Sequence, residues 1–225
     1  MVRDLGRLSY GEALEIQREA VEQRKQGLTG DQLLFVEHPH VITMGRNGHM
    51  ENLLLSEELL RGKGIEFHHT NRGGDVTYHG PGQLVGYPIF DLRDWKRDVV
   101  AYVRALEQCL IDALAEFGIE GERAQGMTGV WVGGAKVAAI GVHITRWISY
   151  HGFALNVSTD LEYFRYIVPC GLTKPVTSLA ALGCTASRQE VMDAVVRAFQ
   201  RQFATTSTTT LNAVTESRLP QPAAV

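Results

Sequence analysis

From Val99 onward the apolar residues Val99, Val103, Leu106, Leu110, Leu114 and Phe117 recur at steps of three or four, and Gly118 follows them. That spacing predicts one amphipathic helix whose single apolar stripe must be covered, and the rest of the chain offers strands to cover it. Leu33 to Glu37 and Val41 to Met44 are short apolar, β-branched runs separated by His38-Pro39-His40, which predicts two strands with a sharp connection. Val130 to Val132, then Gly133-Gly134, then Lys136 to Ile140 reads as a β-hairpin, with paired glycines supplying the positive φ angles of a tight turn. Ile148 to Val157 is a further strand. Two capping boxes, Ser9-Tyr-Gly-Glu12 and Ser187-Arg-Gln-Glu190, predict helices running to about Gly27 and Phe203, with a short helical turn from Ser56 to Leu60 between them. The fold class expected is α/β of the α+β type: a mixed, mostly antiparallel sheet flanked by helices.

A chain of 225 residues, 44% of them hydrophobic, can bury a full core, so residues 1–204 are expected to form one domain. Thr205 to Thr210 and Leu219 to Pro222 are polar or broken by proline, and 205–225 is expected to be a disordered tail. A net charge of -3 gives no basic field for non-specific nucleic-acid binding. No apolar run suits a secretory signal or a membrane span, which predicts a cytoplasmic protein with no membrane partner. Three cysteines, Cys109, Cys170 and Cys184, are too few and too unevenly spaced for a disulfide framework.

The segment Arg72-Gly-Gly-Asp-Val-Thr-Tyr-His-Gly-Pro-Gly-Gln83 places four glycines and a proline among hydrogen-bonding side chains. Glycine lets the backbone approach a ligand closely, and Arg72, Asp75, Thr77, Tyr78 and His79 can orient a polar head group. An elaborate turn is the other reading. The segment opens no helix and no Gly-Lys-Ser/Thr follows it, so it is neither a dinucleotide fingerprint nor a phosphate loop. His38, His40, His68, His69 and His79 have no partners at zinc spacing, and no metal site is expected.

Cys170 stands between Pro169 and Gly171, on a bend that can present a thiol, although a lone cysteine also reads as a small buried hydrophobe. Cys109 sits between Leu106 and Leu110 on the apolar stripe, and Cys184 precedes a helix cap with no basic neighbour until Arg188. A catalytic thiol must be ionised, and an ammonium nearby lowers its pKa. Lys136, inside an apolar run, is a source of that charge; the alternative is an edge-strand lysine facing water.

Taken together, the glycine-rich segment, Lys136-Val-Ala-Ala-Ile-Gly-Val-His143, His151-Gly-Phe-Ala-Leu-Asn156 and Pro169-Cys-Gly171 resemble the lipoyl(octanoyl) transferase family, in order and in spacing, over about residues 30 to 200. The resemblance implies a catalytic domain similar to those of biotin protein ligases and lipoate ligases. It also implies an acyl-thioester nucleophile at Cys170, with Lys136 lowering its pKa. The implied substrate pocket is lined by Arg72, Gly73, Gly74, Asp75, Val76, Thr77, Tyr78 and His79, by Ala139, Ile140 and Gly141, and by Gly152, Phe153 and Ala154. The implied donor is octanoyl-acyl carrier protein; the acceptors are lipoyl domains of 2-oxoacid dehydrogenase complexes and the glycine cleavage H protein; no cofactor is needed. An ATP-dependent lipoate ligase and a non-catalytic module that captures a carrier domain are the rival readings. With a negative net charge, an acidic carrier is expected to dock on a local basic surface near the pocket mouth, with Arg72, Arg146, Arg165 and Lys174 as candidates.

Overall fold

The computed structural model describes residues 1–168 and 175–204. Its strands are β1 (Val2–Arg7), β2 (Gln32–Glu37), β3 (Val41–Met44), β4 (Glu66–His69), β5 (Val76–His79), β6 (Gln83–Ile89), β7 (Val130–Val132), β8 (Ala135–Thr145) and β9 (Ile148–Asn156). Its helices are α1 (Tyr10–Lys25), α2 (Glu57–Gly62), α3 (Val99–Ala115) and α4 (Arg188–Gln202), with a 3₁₀ turn at Leu161–Tyr166. Both capping boxes form, Ser9 with Glu12 and Ser187 with Glu190, which is why α1 and α4 begin where the sequence places them.

The strands make two sheets. Six strands run in the order β1-β2-β6-β9-β8-β7, antiparallel except for the β1–β2 pair, and three more run in the order β4-β3-β5. The two neighbouring strands predicted around His38-Pro39-His40 therefore belong to different sheets, and the proline marks the crossing. One face of the large sheet presents Leu33, Phe35, Leu84, Phe153 and Leu155, which pack on Leu106, Leu110 and Leu114 of α3 and on Val191, Val195 and Phe199 of α4. The helical stripe thus finds its sheet, except that Val99, its first residue, is exposed. The other face presents Leu34, Val36, Val85, Tyr87 and Ala154, partly covered by Ala13, Ala20 and Val21 of α1. The small sheet has its own apolar cluster, built on Ile42, Val76, Tyr78 and Leu60.

Alternation along the strands follows from this layering, because side chains two residues apart share a face. Gln83, Val85 and Tyr87 on β6 and Asn156, Ala154 and Gly152 on β9 share the α1 face, and β8 adds Ala139 and Gly141 opposite Ala154 and Gly152. The β7–β8 hairpin turns on Gly133 and Gly134 at φ 55° and 80°, angles that L side chains seldom adopt. Among the described residues no helix is long and apolar enough to cross a membrane.

Candidate active site

Where α1 stops short of covering the large sheet, a cavity of about 440 Å³ opens between the two sheets. Its sheet wall is made of small and apolar groups: Val85 and Tyr87 from β6, Ala139 and Gly141 from β8, Gly152 and Ala154 from β9. Opposite them lies the glycine-rich segment, with Arg72, Gly74, Asp75, Val76, Thr77 and His79 all on the lining. Tyr10, the first residue of α1, lines it as well, as do Trp131 and Lys136 of the hairpin, Val176, Phe164 and the loop Gly126 to Thr128. That loop is held from below by the fully buried Glu107, whose carboxylate accepts from the Gly129 N–H at 3.1 Å and from Arg104 at 2.7 Å and Arg123 at 3.1 Å.

The close approach of the glycine-rich segment to the sheet depends on Gly141. The Gly73 N–H donates to the Val142 carbonyl at 2.9 Å, and a Cβ at position 141 would stand 2.6 Å from the Gly73 carbonyl oxygen. Only a hydrogen fits there.

Arg72 is 7% exposed and donates to Thr43, from Nε to Oγ1 at 3.2 Å and from NH2 to the carbonyl at 2.6 Å and to Oγ1 at 2.9 Å. Asp75 accepts from Asn52 Nδ2 and from the Val76 N–H, each at 2.6 Å. These bonds brace the loop from behind, which leaves its backbone and apolar surfaces to face the cavity. Three histidines near this wall are buried and neutral. Burial, then the neighbouring His38 imidazole and Arg72 guanidinium, drives the His79 pKa down to about 3; burial likewise takes His38 to about 4 and His151 to about 3. None is doubly protonated at neutral pH, so each keeps one N–H donor and one acceptor nitrogen, and among the described residues no group of histidines, cysteines and carboxylates is placed to hold a metal.

Lys136 is the second residue of β8 and points into the cavity, with Nζ 4.8 Å from the centre of the Trp131 ring. Both of its backbone groups are used: its N–H donates to the Pro175 carbonyl at 2.8 Å, and its carbonyl accepts from the Thr177 N–H at 2.9 Å. The chain leaving 169–174 is thus zipped onto Lys136, and on the entering side the Val168 N–H donates to the Asn52 carbonyl at 2.8 Å. Cys170 itself lies outside the described residues, as does the 205–225 tail. Cys109 is fully buried in the core, with burial pushing its thiol pKa up, and Cys184 is half-buried beside α4.

Of the residues singled out in the sequence, Arg72, Gly74 to Thr77, His79, Lys136, Ala139 to Gly141 and Gly152 to Ala154 meet in this one cavity. Gly73 and Tyr78 are not on the lining. Gly73 bonds to β8, and Tyr78 turns into the small sheet's core, its hydroxyl 2.8 Å from His40 Nδ1. One of the docking candidates requires correction: Arg72 is buried and donates to Thr43. Arg146 sits in the turn after β8, five residues beyond the cavity-lining Gly141, and Arg165 is exposed beside the cavity-lining Phe164. Lys174 lies outside the described residues.

Sequence reading missed Tyr10, Tyr87, Gln83, Asn156 and Trp131 as lining residues. Trp131 had a readable signal, because a two-residue turn at Gly133-Gly134 pairs Val132 with Ala135 and therefore Trp131 with Lys136, the register observed. Tyr87, Gln83 and Asn156 are brought in by pairings between distant strands, and Tyr10 by the packing of α1 on the sheet, neither of which leaves a local mark.

The lipoyl protein ligase A/B catalytic domain family matches residues 9–200. An octanoyltransferase from Solibacter usitatus is 66% identical over 202 residues, covering 90% of this chain and 92% of that protein, and one from Koribacter versatilis is 51% identical, covering 88% and 82%. Among solved structures, a lipoate-protein ligase A bound with ATP superposes with a TM-score of 0.77 at 17% identity, over 90% of this chain and 85% of that one. The apo biotin protein ligase from Aquifex aeolicus gives 0.51 at 13% identity, over 91% and 68%. The last two are likenesses of fold, whereas the sequence matches establish descent. The chain belongs to the lipoyl protein ligase A/B catalytic domain family and, within it, to the octanoyltransferases.

Proposed function

We propose that this protein transfers an octanoyl group from octanoyl-acyl carrier protein to a lysine of lipoyl domains, through a thioester on Cys170, as a step of lipoate biosynthesis. The observation that carries the reading is Lys136, an ammonium brought into a largely apolar cavity and fixed through its backbone to the chain that follows Cys170.

The chemistry follows from that placement. An ammonium near a thiol favours its thiolate, the form that attacks. The Cys170 thiolate adds to the thioester carbonyl, the C–S bond to the carrier breaks, and the carrier departs as its thiol after taking up a proton. The acyl chain lies along Ala139, Gly141, Gly152 and Ala154, where removal from water favours binding and nothing polar is demanded of it. The neutral ε-amine of the acceptor lysine then attacks the acyl-enzyme, forming an amide, releasing the Cys170 thiol and giving up a proton. An amide is more stable than a thioester, so no ATP is consumed. Residues 1–204 act as one catalytic domain that works in the cytoplasm without the 205–225 tail. The acceptors are the lipoyl domains of 2-oxoacid dehydrogenase complexes and the glycine cleavage H protein.

Intact-mass analysis after incubation with octanoyl-acyl carrier protein tests the proposal. A gain of one octanoyl group without ATP, removed by hydroxylamine and absent from Cys170→Ala, is the expected result. Acylation of a lipoyl domain that needs free octanoate and ATP would replace the transferase reading with that of a ligase.

A further inference from the structure

Along the cavity wall, where Arg72, His79, Gln83 and Asn156 stand on the lining, six buried groups form one hydrogen-bonded chain: Arg72, Thr43, His79, Gln83, Asn156 and the carbonyl of Thr177. Arg72 NH2 is 2.9 Å from Thr43 Oγ1, Thr43 Oγ1 is 3.4 Å from His79 Nε2, and His79 Nδ1 is 2.8 Å from Gln83 Oε1. Gln83 Nε2 is 2.9 Å from Asn156 Oδ1, and Asn156 Nδ2 is 3.0 Å from the Thr177 carbonyl. All six residues are less than 9% exposed.

The two ends fix the direction of every link. A guanidinium can only donate and a backbone carbonyl can only accept. Asn156 must therefore turn its NH₂ to Thr177 and its oxygen to Gln83. Gln83 must turn its NH₂ to Asn156, where it also reaches the Tyr78 carbonyl at 3.2 Å, and its oxygen to His79. His79 then carries its single proton on Nδ1 and leaves Nε2 to accept from the Thr43 hydroxyl, which itself accepts from Arg72. Each member satisfies the next, and none can be reversed alone.

The chain ends at the backbone that holds Lys136. Asn156 grips that segment twice, through its side chain at the Thr177 carbonyl and through its own carbonyl, which accepts from the Leu179 N–H at 3.0 Å. Thr177 in turn donates to the Lys136 carbonyl, and Pro175 accepts from the Lys136 N–H.

We infer that Asn156 and Gln83 are positioning residues which, through the Pro175 to Leu179 segment, set where Lys136 stands and lock that position to the glycine-rich wall at Arg72. The inference rests on the proposed function only in taking Lys136 to act on the reaction; the mechanical coupling stands apart from it. A structural polar network of no consequence for Lys136 would show itself in stability alone.

Three variants separate these cases. Asn156→Leu removes both side-chain bonds without adding charge. Asn156→Asp keeps the shape but sets a carboxylate oxygen against the Thr177 carbonyl. Gln83→Glu does the same against Tyr78 and Asn156. Two readouts are taken on each folded variant and on Lys136→Met. The first is amide hydrogen exchange at Lys136 and Thr177, which reports the Lys136 pairing whatever the chemistry. The second is the pH profile of acylation by a small octanoyl thioester, with kcat and KM resolved.

The expected result is a loss of protection at those two amides of about tenfold or more, while α3 stays protected. With it, kcat should fall by about tenfold at little change in KM, and the pH profile should move toward that of Lys136→Met. Unchanged exchange at Lys136 and Thr177 in folded Asn156→Leu and Gln83→Glu overturns the inference. Exchange lost with kcat and pH profile intact overturns the positioning role. If Lys136→Met itself keeps the wild-type profile, the proposed role of Lys136 fails, and the exchange data still decide the coupling.

Discussion

The ammonium of Lys136 stands 4.8 Å from the centre of the Trp131 ring, its cross-strand partner in the β7–β8 hairpin. A cation over an indole face is worth about 0.5–2 kcal/mol, more as water is excluded. Trp131→Leu should therefore lower the acylation rate at neutral pH by about 2- to 30-fold, and Trp131→Phe by less. Among the described residues the indole N–H is buried without a hydrogen-bond partner, so replacing it with phenylalanine should cost packing but no hydrogen bond. Single-turnover acylation alongside thermal melts checks both; equal rates in wild type and Trp131→Leu would remove the ring from the account.

Cys170 and Lys136 should behave as a unit, with mutations that are not additive. Cys170→Ala should abolish the acyl-enzyme, and Lys136→Ala should leave a thiol of nearly ordinary pKa, about 8.5, scarce as thiolate at pH 7 and recoverable at higher pH. Cys109→Ala should keep acylation, since that thiol is buried in the core. The measurement is the pH dependence of iodoacetamide alkylation at Cys170; identical curves in wild type and Lys136→Ala would reassign the lysine.

Acid should unfold the protein through its buried histidines. His38, His79 and His151 titrate at about 4, 3 and 3 in the fold, against 6.5 when unperturbed. Between those limits the unfolded chain binds protons that the folded chain refuses. Their contribution is thus intact above about pH 6.5 and is lost progressively as the pH falls toward about 4, by about 1.4 kcal/mol per pH unit for each histidine. His38 donates from Nδ1 to the Leu8 carbonyl at 2.8 Å, a bond that asparagine can imitate. Urea midpoints at pH 7, 6 and 5 should fall with a shallower slope in His38→Asn, and equal slopes would exclude His38 as a contributor.

Gly141→Ala places a methyl group 2.6 Å from the Gly73 carbonyl, and backbone on both sides must move. The expected destabilisation is about 1–3 kcal/mol, with a raised KM for the octanoyl thioester. A variant as stable and as tight as wild type would show that the wall at Gly73 is pliable.

Arg165 is exposed and paired with Glu162 on the 3₁₀ turn that also carries Phe164 to the cavity. Arg165→Glu should raise KM for octanoyl-acyl carrier protein, and added salt should raise it in wild type, while a small octanoyl thioester responds to neither. Equal responses by the two donors would place carrier docking elsewhere.

The parts of this fold legible in the sequence are those settled within one or two turns of chain. Ser9 with Glu12, Ser187 with Glu190 and the apolar stripe of α3 are local facts, and the helices begin and end close to where those residues put them. β1 escaped because Val2 to Arg7 has no alternation of its own and is a strand only by pairing with Leu33 to Glu37. β4 escaped for a similar reason: Glu66-Phe-His-His is half polar and pairs with Val41 to Met44 across more than twenty residues. The site shows the same division. Motif likeness brought most of the lining together, whereas Gln83 and Asn156 meet across 73 residues, a relation that no local pattern encodes.

The narrow place in the cavity wall, where Gly141 faces the Gly73 carbonyl, is made of main chain. Side chains can rotate to admit a larger guest; a peptide group fixed in a sheet cannot. A saturated hydrocarbon has no polar feature to read, so fidelity here comes down to length and is lopsided. A chain too short by one carbon forfeits about 0.8 kcal/mol of burial, roughly a fourfold preference, and is turned away only weakly. A chain long enough to press on this part of the wall would meet main chain, which gives way less readily than a side chain. Errors by this enzyme should therefore run toward shorter acyl groups, and a lineage that needed a longer one would have to reset a backbone crossing to obtain it.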